Sequence, residues 1–281
     1  MPRRISILGE VLAFATMQAM MAAGSSLESE MRRLSFFIGI FALFAALPAA
    51  AFDIDVMTDA EREAFRSEIR AYLLENPEVL MEAIAVLEER RNQGAQAAEV
   101  AMLEENREGI FNDGYSFVGG NPDGDVTIVE FLDYRCSFCK RVYPSVEELI
   151  ASDGNIRFIV KEFPILGEAS VLGSRYAIAT KRIEGDEAYK AAHDALMILR
   201  GHLNDAALTR ISDQNGFDHD AILAEMGSED ITEIIATNRA LGNRLEIQGT
   251  PSFVMGDNFV RGFVELDQMR AIVEAVRQDQ S

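Results

Sequence analysis

The stretch Asp125-Val-Thr-Ile-Val-Glu-Phe-Leu-Asp-Tyr-Arg-Cys-Ser-Phe-Cys-Lys-Arg141 decides the fold. Its first ten residues are rich in β-branched and aromatic side chains and follow the turn sequence Asn121-Pro-Asp-Gly124, which is typical of a strand. The run is almost continuously apolar, as expected for a strand that is buried on both faces of a sheet. A helical pattern continues through Ile150, so the sequence predicts a strand and a helix with two cysteines at their junction.

Cys136 and Cys139 are the only cysteines of the 281 residues. Their spacing at a helix start brings the two thiols within reach of a disulfide. A helix N-terminus favours negative charge, which lowers the pKa of a cysteine there into the range of about 3.5–7.5. Arg135, Lys140 and Arg141 are expected to add positive charge. We therefore predict that Cys136 is the nucleophile and that Cys139 resolves a mixed disulfide.

Two other interpretations of the cysteine pair are a structural disulfide and half of a metal site. A metal site needs further ligands, and the only histidines are His193, His202 and His219. They do not form a cluster with ligand spacing, and we interpret each as a surface residue. The sequence therefore predicts neither a metal nor a cofactor.

Glu130 lies in the middle of the predicted strand, where burial of a carboxylate is costly unless it has a partner or a task. Beneath the cysteines it can take or return the proton of Cys139; the alternative is a charge on a sheet edge. A second strand over Ile156–Phe163 gives a βαβ order. Arg157 and Lys161 share one face of that strand, and we expect either of them to pair with Glu130.

The Gly249-Thr-Pro-Ser-Phe-Val-Met255 stretch opens an apolar strand with a proline, which is a poor ladder member unless it makes a special turn. A cis Thr250–Pro251 bond facing the cysteines would expose backbone groups to a substrate strand. The alternative is a trans proline at the start of the strand.

The order of these elements resembles the thioredoxin superfamily over roughly residues 109–281. A helical insertion at about 166–244 is similar to that of the DsbA-like branch, which implies an α/β thioredoxin-like fold. Family roles then fall on Cys136 as nucleophile, Cys139 as resolving residue and Glu130 as buried acid. The cis-proline loop corresponds to Thr250 and Pro251.

Ser137 and Phe138 replace the Pro-His pair of the strong oxidase, and the threonine before the proline resembles the isomerase members more. We predict that Ser137 and Phe138 contact substrate together with the proline loop. The apolar segment Phe163-Pro-Ile-Leu-Gly167 forms a peptide-binding patch with Tyr134 and Phe138 in one interpretation, and belongs to the core in the other.

The composition excludes several classes of function. The chain has 26 Lys+Arg against 46 Asp+Glu, a formal net charge of −20, which argues against binding to nucleic acid or to an anionic membrane. A hydrophobic content of 48% with 17 Phe is enough for a core and excludes wholesale disorder.

Residues 1–51 are interpreted as a leader. Met31-Arg-Arg33, the apolar run Leu34–Leu47 and Pro48-Ala-Ala-Ala51 are the three parts of a secretory signal, with cleavage expected near 49–51. Translation then starts at Met31, or the signal carries an extension ahead of it. An uncleaved membrane anchor is the alternative. Export predicts the periplasm, where disulfides form and persist.

An acidic helical arm is predicted over residues 52–108. Thr58 and Glu61 form a capping-box pattern, and Asn76-Pro77 restarts the chain as a second helix. Two short amphipathic helices cannot bury their apolar faces alone. We favour self-association through residues 57–87, with a packed hairpin as the alternative and a helical or partly flexible connector over 88–108. The arm resembles that of suppressor-of-copper-sensitivity proteins, some of which oligomerise through it.

These features predict an exported thiol–disulfide oxidoreductase of the isomerase or reductase type. Its partners would be periplasmic proteins with cysteines and an unidentified membrane redox protein. A simple dithiol oxidase is the alternative enzyme, and a copper-binding or copper-resistance protein is the alternative from another class.

Overall fold

The computed structural model describes residues 57–279, so the predicted leader lies outside the described residues. These fall into two compact units that divide after Leu80. Helix α1 (Asp59–Glu75) begins at the predicted capping box: the Thr58 hydroxyl accepts the Glu61 amide, and the Glu61 carboxylate accepts the Thr58 amide. No residue of α1 is buried.

Helix α2 (Glu78–Glu105) runs without a break through the polar stretch that the sequence suggested as a connector. Gly94 lies inside it, and a short helix α3 (Arg107–Phe111) follows. Gly94 therefore does not interrupt the helix.

A five-stranded sheet forms the centre of the second unit. Strands β1 (Phe117–Gly120), β2 (Val126–Leu132), β3 (Ile156–Glu162), β4 (Ser252–Met255) and β5 (Asn258–Arg261) lie in the order β1-β3-β2-β4-β5. Strands β2 and β3 are parallel and joined by α4 (Ser137–Asp153), while the other pairs are antiparallel. The predicted βαβ unit and the thioredoxin-like α/β fold are confirmed. Strand β1 was not predicted, because it is short and half of it is glycine.

The helical insertion between β3 and β4 matches the pattern in the sequence. It contains α5 (Glu168–Glu184), α6 (Asp186–Ile198), α7 (Asp205–Asn215), α8 (His219–Glu225) and α9 (Glu229–Arg244), and α10 (Leu266–Asp279) ends the fold. Helices α7, α8 and α9 begin where Asn204, Asp218 and Ser228 each accept a backbone amide. Within residues 57–279 no helix combines the length and the apolarity needed to cross a membrane.

The sheet is buried on both faces, and alternation along β2 assigns its side chains to two layers. Ile128 and Leu132 belong to the larger core, which also holds both cysteines and residues of the insertion. Val129 and Phe131 belong to a second core, which includes residues of α2, α3 and α9. Because side chains alternate along a strand, Glu130 lies on the face of the cysteines.

The expected pairing of Arg157 or Lys161 with Glu130 is wrong. Lys161 is paired with Phe131 in the β2–β3 register and therefore lies on the other face of the sheet from Glu130. Its Nζ lies 2.5 Å from the Asp113 carboxylate, and both side chains are buried. Arg157 donates to the Phe111 carbonyl instead.

We predict that Asp113→Asn destabilises the fold strongly, because it leaves the ammonium of Lys161 buried without a counter-charge. The expected loss is about 3 kcal/mol in the free energy of unfolding. The matched control is Asp257→Asn, since Asp257 and Arg107 form a largely exposed pair at 3.8 Å. The control should lose less than about 1 kcal/mol in urea unfolding. Equal losses in the two variants would show that the buried pair has no special role.

Candidate active site

Cys136 is the N-cap residue of α4, and Cys139 lies in the first turn. The Cys136 Sγ accepts a hydrogen bond from the Cys139 amide at 3.4 Å. At most helix starts a side-chain oxygen of the N-cap residue accepts this bond. Cys136 retains 6% of its surface, whereas Cys139 is fully buried. Only the first sulfur is therefore open to a reaction partner.

The Thr250–Pro251 peptide bond is cis, and it lies across from the first cysteine. The Thr250 carbonyl oxygen is 3.1 Å from the Cys136 Sγ and accepts a hydrogen bond from it when Cys136 is in the thiol form. Strand β4 starts one residue after the proline and pairs with β2. The pairing of β4 with β2 thus brings Thr250 to the sulfur of Cys136, although the two residues are 114 positions apart in the sequence.

The surroundings of Cys136 stabilise its thiolate and lower its pKa to about 5. The hydrogen bond from the Cys139 thiol is the largest cause, and burial opposes it. The Thr250 side chain and the amides of Cys139 and Phe138 add to the lowering. Cys136 is thus largely a thiolate at neutral pH, as a nucleophile requires.

Burial raises the pKa of both Cys139 and Glu130. Burial raises the pKa of Cys139 well above its usual range, and its donation to the Cys136 sulfur and the Glu130 charge reinforce this. Burial also raises the pKa of Glu130 to about 8, with the charges of Glu147 and Cys136 adding to it. The Oε1 atom of Glu130 is buried and has no hydrogen-bond partner. A buried acid with a pKa near neutrality is suited to exchange a proton with a thiol.

The basic residues near the motif are arranged differently from the expectation. Lys140 is turned away from Cys136 and donates to the carbonyls of Leu196 and Leu199 at the end of α6. Arg141 lies over the ring of Phe263. Because Lys140 serves to fix the helical insertion to α4, thiolate stabilisation at Cys136 comes mainly from hydrogen bonds.

The predicted apolar patch divides between core and surface. Tyr134 and Phe163 are buried, so the core interpretation holds for them. Phe138, Ile165 and Leu166 are exposed, with 52%, 38% and 53% of their surface accessible. Ser137 is exposed as well. Three apolar side chains therefore remain on the surface, Phe138 in the first turn of α4 and the other two in the loop that follows β3.

Asp133 links the loop after β2 to the loop after β3, and the sequence analysis did not identify it. Its carboxylate accepts the backbone amides of Arg135, Ile165 and Leu166 at 2.7 to 3.0 Å. An aspartate directly after a buried strand and before a turn was the available signal, since such side chains often bind nearby amides. Its position fixes the loop that carries Cys136.

The interpretation of His193 as a surface residue is wrong. It retains 2% of its surface, its Nδ1 lies 3.1 Å from the Tyr134 hydroxyl, and burial lowers its pKa to about 4. His202 is exposed, and His219 contacts the hydroxyls of Thr209 and Ser212. In the described part of the chain, no three His, Cys, Asp or Glu residues are grouped so that they could hold a metal ion.

Two family models match the chain. The model described as thioredoxin matches residues 112–275, and the model described as the N-terminal domain of the copper resistance protein ScsC matches residues 61–93. The first covers the sheet, the insertion and both cysteines. The second covers most of α1 and the first half of α2.

Several solved structures are similar to the chain. A thioredoxin-like oxidoreductase from Silicibacter pomeroyi is 40% identical, with 62% of this chain and 98% of that chain covered and a TM-score of 0.58. A linker-deletion variant of ScsC from Proteus mirabilis is 27% identical, with 81% and 100% covered and a TM-score of 0.60. BcfH from Salmonella enterica Typhimurium is 25% identical, with 78% and 96% covered and a TM-score of 0.62.

Curated relatives are more distant. The Na(+)/H(+) antiporter NhaA 1 of Salinispora arenicola is 25% identical over 56% of this chain, which spans only 24% of that protein. Disulfide bond formation protein D of Bacillus subtilis is 22% identical over 55% of this chain and 74% of its own length. The chain thus spans about a quarter of the length of the first of these relatives and most of the second.

We predict that iodoacetamide labels Cys136 alone and that the labelling rate depends on pH through the thiolate. The rate should rise as pH rises to about 5 and then level off, because the deprotonated fraction becomes complete above the pKa. In Cys139→Ala the midpoint should move to higher pH, since the main stabilising donor is lost. Mass spectrometry of the labelled peptides identifies the site. Labelling of Cys139 in the folded protein would contradict the burial.

Proposed function

We propose that this chain, which belongs to the thioredoxin superfamily as a DsbA-like member of the ScsC type, is an exported thiol–disulfide oxidoreductase with its site at Cys136 and Cys139. The general kind of activity follows from relatives that are thiol–disulfide proteins by description. The observation that carries the assignment of the site is the open Cys136 sulfur at a helix N-cap, 3.1 Å from the carbonyl before a cis proline.

In the reductive direction, the Cys136 thiolate attacks a substrate disulfide, so that a mixed disulfide forms and one substrate thiolate leaves. The Cys139 sulfur then attacks the Cys136 sulfur. The Cys136–Cys139 bond forms, the second substrate thiolate leaves, and the Cys139 proton passes to the Glu130 carboxylate. The substrate disulfide is reduced and the dithiol is oxidised by the same two electrons. Oxidation of a substrate dithiol is the reverse sequence.

We assign substrate contact to the backbone at Thr250 and Pro251 and to Ser137 and Phe138. The exposure of Ser137 and Phe138 beside the open sulfur supports this, as does the position of the cis-proline loop. A polypeptide with a cysteine and apolar neighbours fits such a surface better than a small thiol does, because the exposed rings and chains offer contacts beyond the sulfur.

Export to the periplasm is proposed from the signal-like pattern of residues 31–51. A related structure from Salmonella enterica is described as a periplasmic thioredoxin-like protein, which supports this location. A dithiol enzyme there needs a partner that restores its redox state, and we assign that role to a membrane redox protein.

The isomerase or reductase type is proposed because of the helical arm. Between residues 57 and 87 many large apolar side chains are exposed: Phe65, Ile69, Tyr72, Leu74, Leu80, Met81, Ile84, Val86 and Leu87. Further copies of this chain would cover the apolar side chains of each helix, and the match of residues 61–93 to the ScsC N-terminal domain supports a family-specific role for this segment. Several sites on one assembly would favour repeated capture of one substrate.

Two specific observations favour alternatives. A low pKa at Cys136 stabilises the dithiol form, which is also the basis of a strong oxidase. The ScsC N-terminal model is described by copper resistance, and adjacent thiolates suit Cu(I). Scrambled-ribonuclease refolding separates isomerase from oxidase, and a Cu(I) titration of the same sample tests the metal.

We predict that Cys139→Ala traps substrates as mixed disulfides with Cys136, because the resolving step is removed. Bands that disappear on reduction should accumulate in non-reducing gels of periplasmic extracts. Cys136→Ala is the control and should trap nothing, since Cys139 is buried. Tight copper binding in the wild type together with an absence of trapped partners would favour the metal-binding alternative.

We predict that Ile69→Glu combined with Ile84→Glu yields a monomer, because charges are placed on two side chains that are 43% and 47% exposed and need an apolar partner surface. The solution mass should fall to one subunit, and ribonuclease isomerisation should fall several-fold. The reaction of Cys136 with iodoacetamide should stay unchanged. Glu82→Gln, on the same helix as Ile84, should alter neither the solution mass nor the isomerisation rate. An unchanged solution mass in the double variant would show that these side chains do not mediate self-association.

A further inference from the structure

A second buried acid accompanies Glu130 on the face of the sheet that carries the cysteines. Glu162 ends β3, pairs with Leu132 in the register and retains 3% of its surface. Glu130 pairs with Val160, so the two acids lie on the same face, two residues apart along neighbouring parallel strands. Strand spacing and rise separate their Cα atoms by about 8 Å.

The two carboxyl groups differ in the hydrogen bonds that they accept. The Oε1 of Glu162 accepts the hydroxyls of Tyr134 and Tyr189 at 2.7 and 2.6 Å. The Tyr134 oxygen also contacts the Nδ1 of His193, which extends the chain of hydrogen bonds. The Oε1 of Glu130 has no partner. Donated hydrogen bonds stabilise a carboxylate, so Glu162 ionises before Glu130 as the pH rises.

We propose that Glu162 is a positioning residue for proton transfer at the cysteine pair, because its buried carboxylate, held by two tyrosine hydroxyls, lies on the same face of the sheet as Glu130 and two residues along the neighbouring strand. A negative charge so close makes Glu130 the stronger base. The inference rests on the proposed function, since it concerns the base that takes the Cys139 proton. A stronger base removes that proton more readily when the Cys139 sulfur attacks. Glu162 itself touches neither sulfur nor substrate in this role.

The charged and titratable groups around Glu162 agree with an anion at this position. From β2 and the loop after it come Glu130, Asp133 and Tyr134, and from α6 come Tyr189 and His193, whose burial holds it neutral at pH 7. These groups include no permanent cation that would cancel the effect of Glu162 on Glu130.

Two further residues line a small space beside Glu162: Tyr115, ahead of β1, and Lys181 of α5. The Lys181 ammonium is paired with Asp186. Facing Glu130 is also Glu147 of α4, whose charge acts in the same direction as that of Glu162. Burial raises the pKa of Glu162 to about 7, with the hydroxyls of Tyr189 and Tyr134 opposing the rise.

Reaction of the reduced full chain with Ellman's reagent in a stopped-flow instrument tests the proposal. Attack by Cys136 releases the first thionitrobenzoate, and attack by Cys139 on the resulting mixed disulfide releases the second. The rate of the second release, followed across the titration range of both acids, reports the proton transfer. In Glu162→Gln its midpoint should move by about one pH unit toward acid, because a buried charge near Glu130 is lost while an acceptor oxygen remains.

Three variants separate this effect from a structural one. Glu162→Asp keeps the charge, so its midpoint should stay near that of the wild type even if stability falls. Tyr189→Phe removes one donor to Glu162 and should give a smaller shift in the same direction, which also serves if Glu162→Gln does not fold. Glu187→Gln, an exposed acid on α6, should give no shift.

Different results would overturn the role of Glu162 and the proposed oxidoreductase function. An unchanged midpoint in both Glu162→Gln and Tyr189→Phe would overturn the proposal, as would an equal shift in Glu187→Gln. In each of these cases a second release that is absent in Cys139→Ala would still support the oxidoreductase site. Without a Cys139-dependent second release in the wild type, the proposed function itself would fail.

Discussion

The sulfur of Cys136 takes the place of a capping oxygen at the start of α4 and accepts the amide of Cys139 at 3.4 Å. Amides at a helix start favour negative charge, so the interaction that begins the helix is also one that stabilises the thiolate. The surrounding elements serve this geometry. The loop before the sulfur is held by the Asp133 carboxylate, and the carbonyl of Thr250 meets the sulfur from β4. A change in any of these contacts would alter the reactivity of the Cys136 sulfur.

The central sheet separates two kinds of buried charge. On one face, the Lys161 ammonium is neutralised by Asp113 and stabilises the packing of the segment before β1. On the other face, Glu130 and Glu162 are buried close to each other, and hydroxyl groups rather than cations meet Glu162. Acids arranged in this way remain titratable near neutral pH, which is of use for proton exchange and costly for stability. The family relationship explains the fold, whereas this arrangement determines which residues carry protons.

Exposed apolar groups occur in two distinct parts of the chain. Phe138 lies in the first turn of α4 beside Cys136, and Ile165 and Leu166 lie in the loop after β3, whose amides Asp133 accepts. The other group follows α1 and the first part of α2, within the match to the ScsC N-terminal domain. In a chain with a net charge of −20, these surfaces provide the short-range attraction that its overall charge does not. We propose the first as a contact for a substrate segment and the second as a contact for further copies of the chain.

The sequence by itself determined the elements whose causes are local. The capping box at Thr58, the strand before the motif, the helices of the insertion and the cap at Cys136 depend on neighbours within a few residues, so their patterns were readable. Tertiary structure decided which face each side chain occupies. The sequence predicts that Arg157 or Lys161 pairs with Glu130 and that His193 lies at the surface; instead Arg157 donates to the Phe111 carbonyl, Lys161 is buried against Asp113, and His193 is buried. Strand register and helix packing set those positions, and they depend on contacts between residues far apart in the chain, for which no single segment carries the signal.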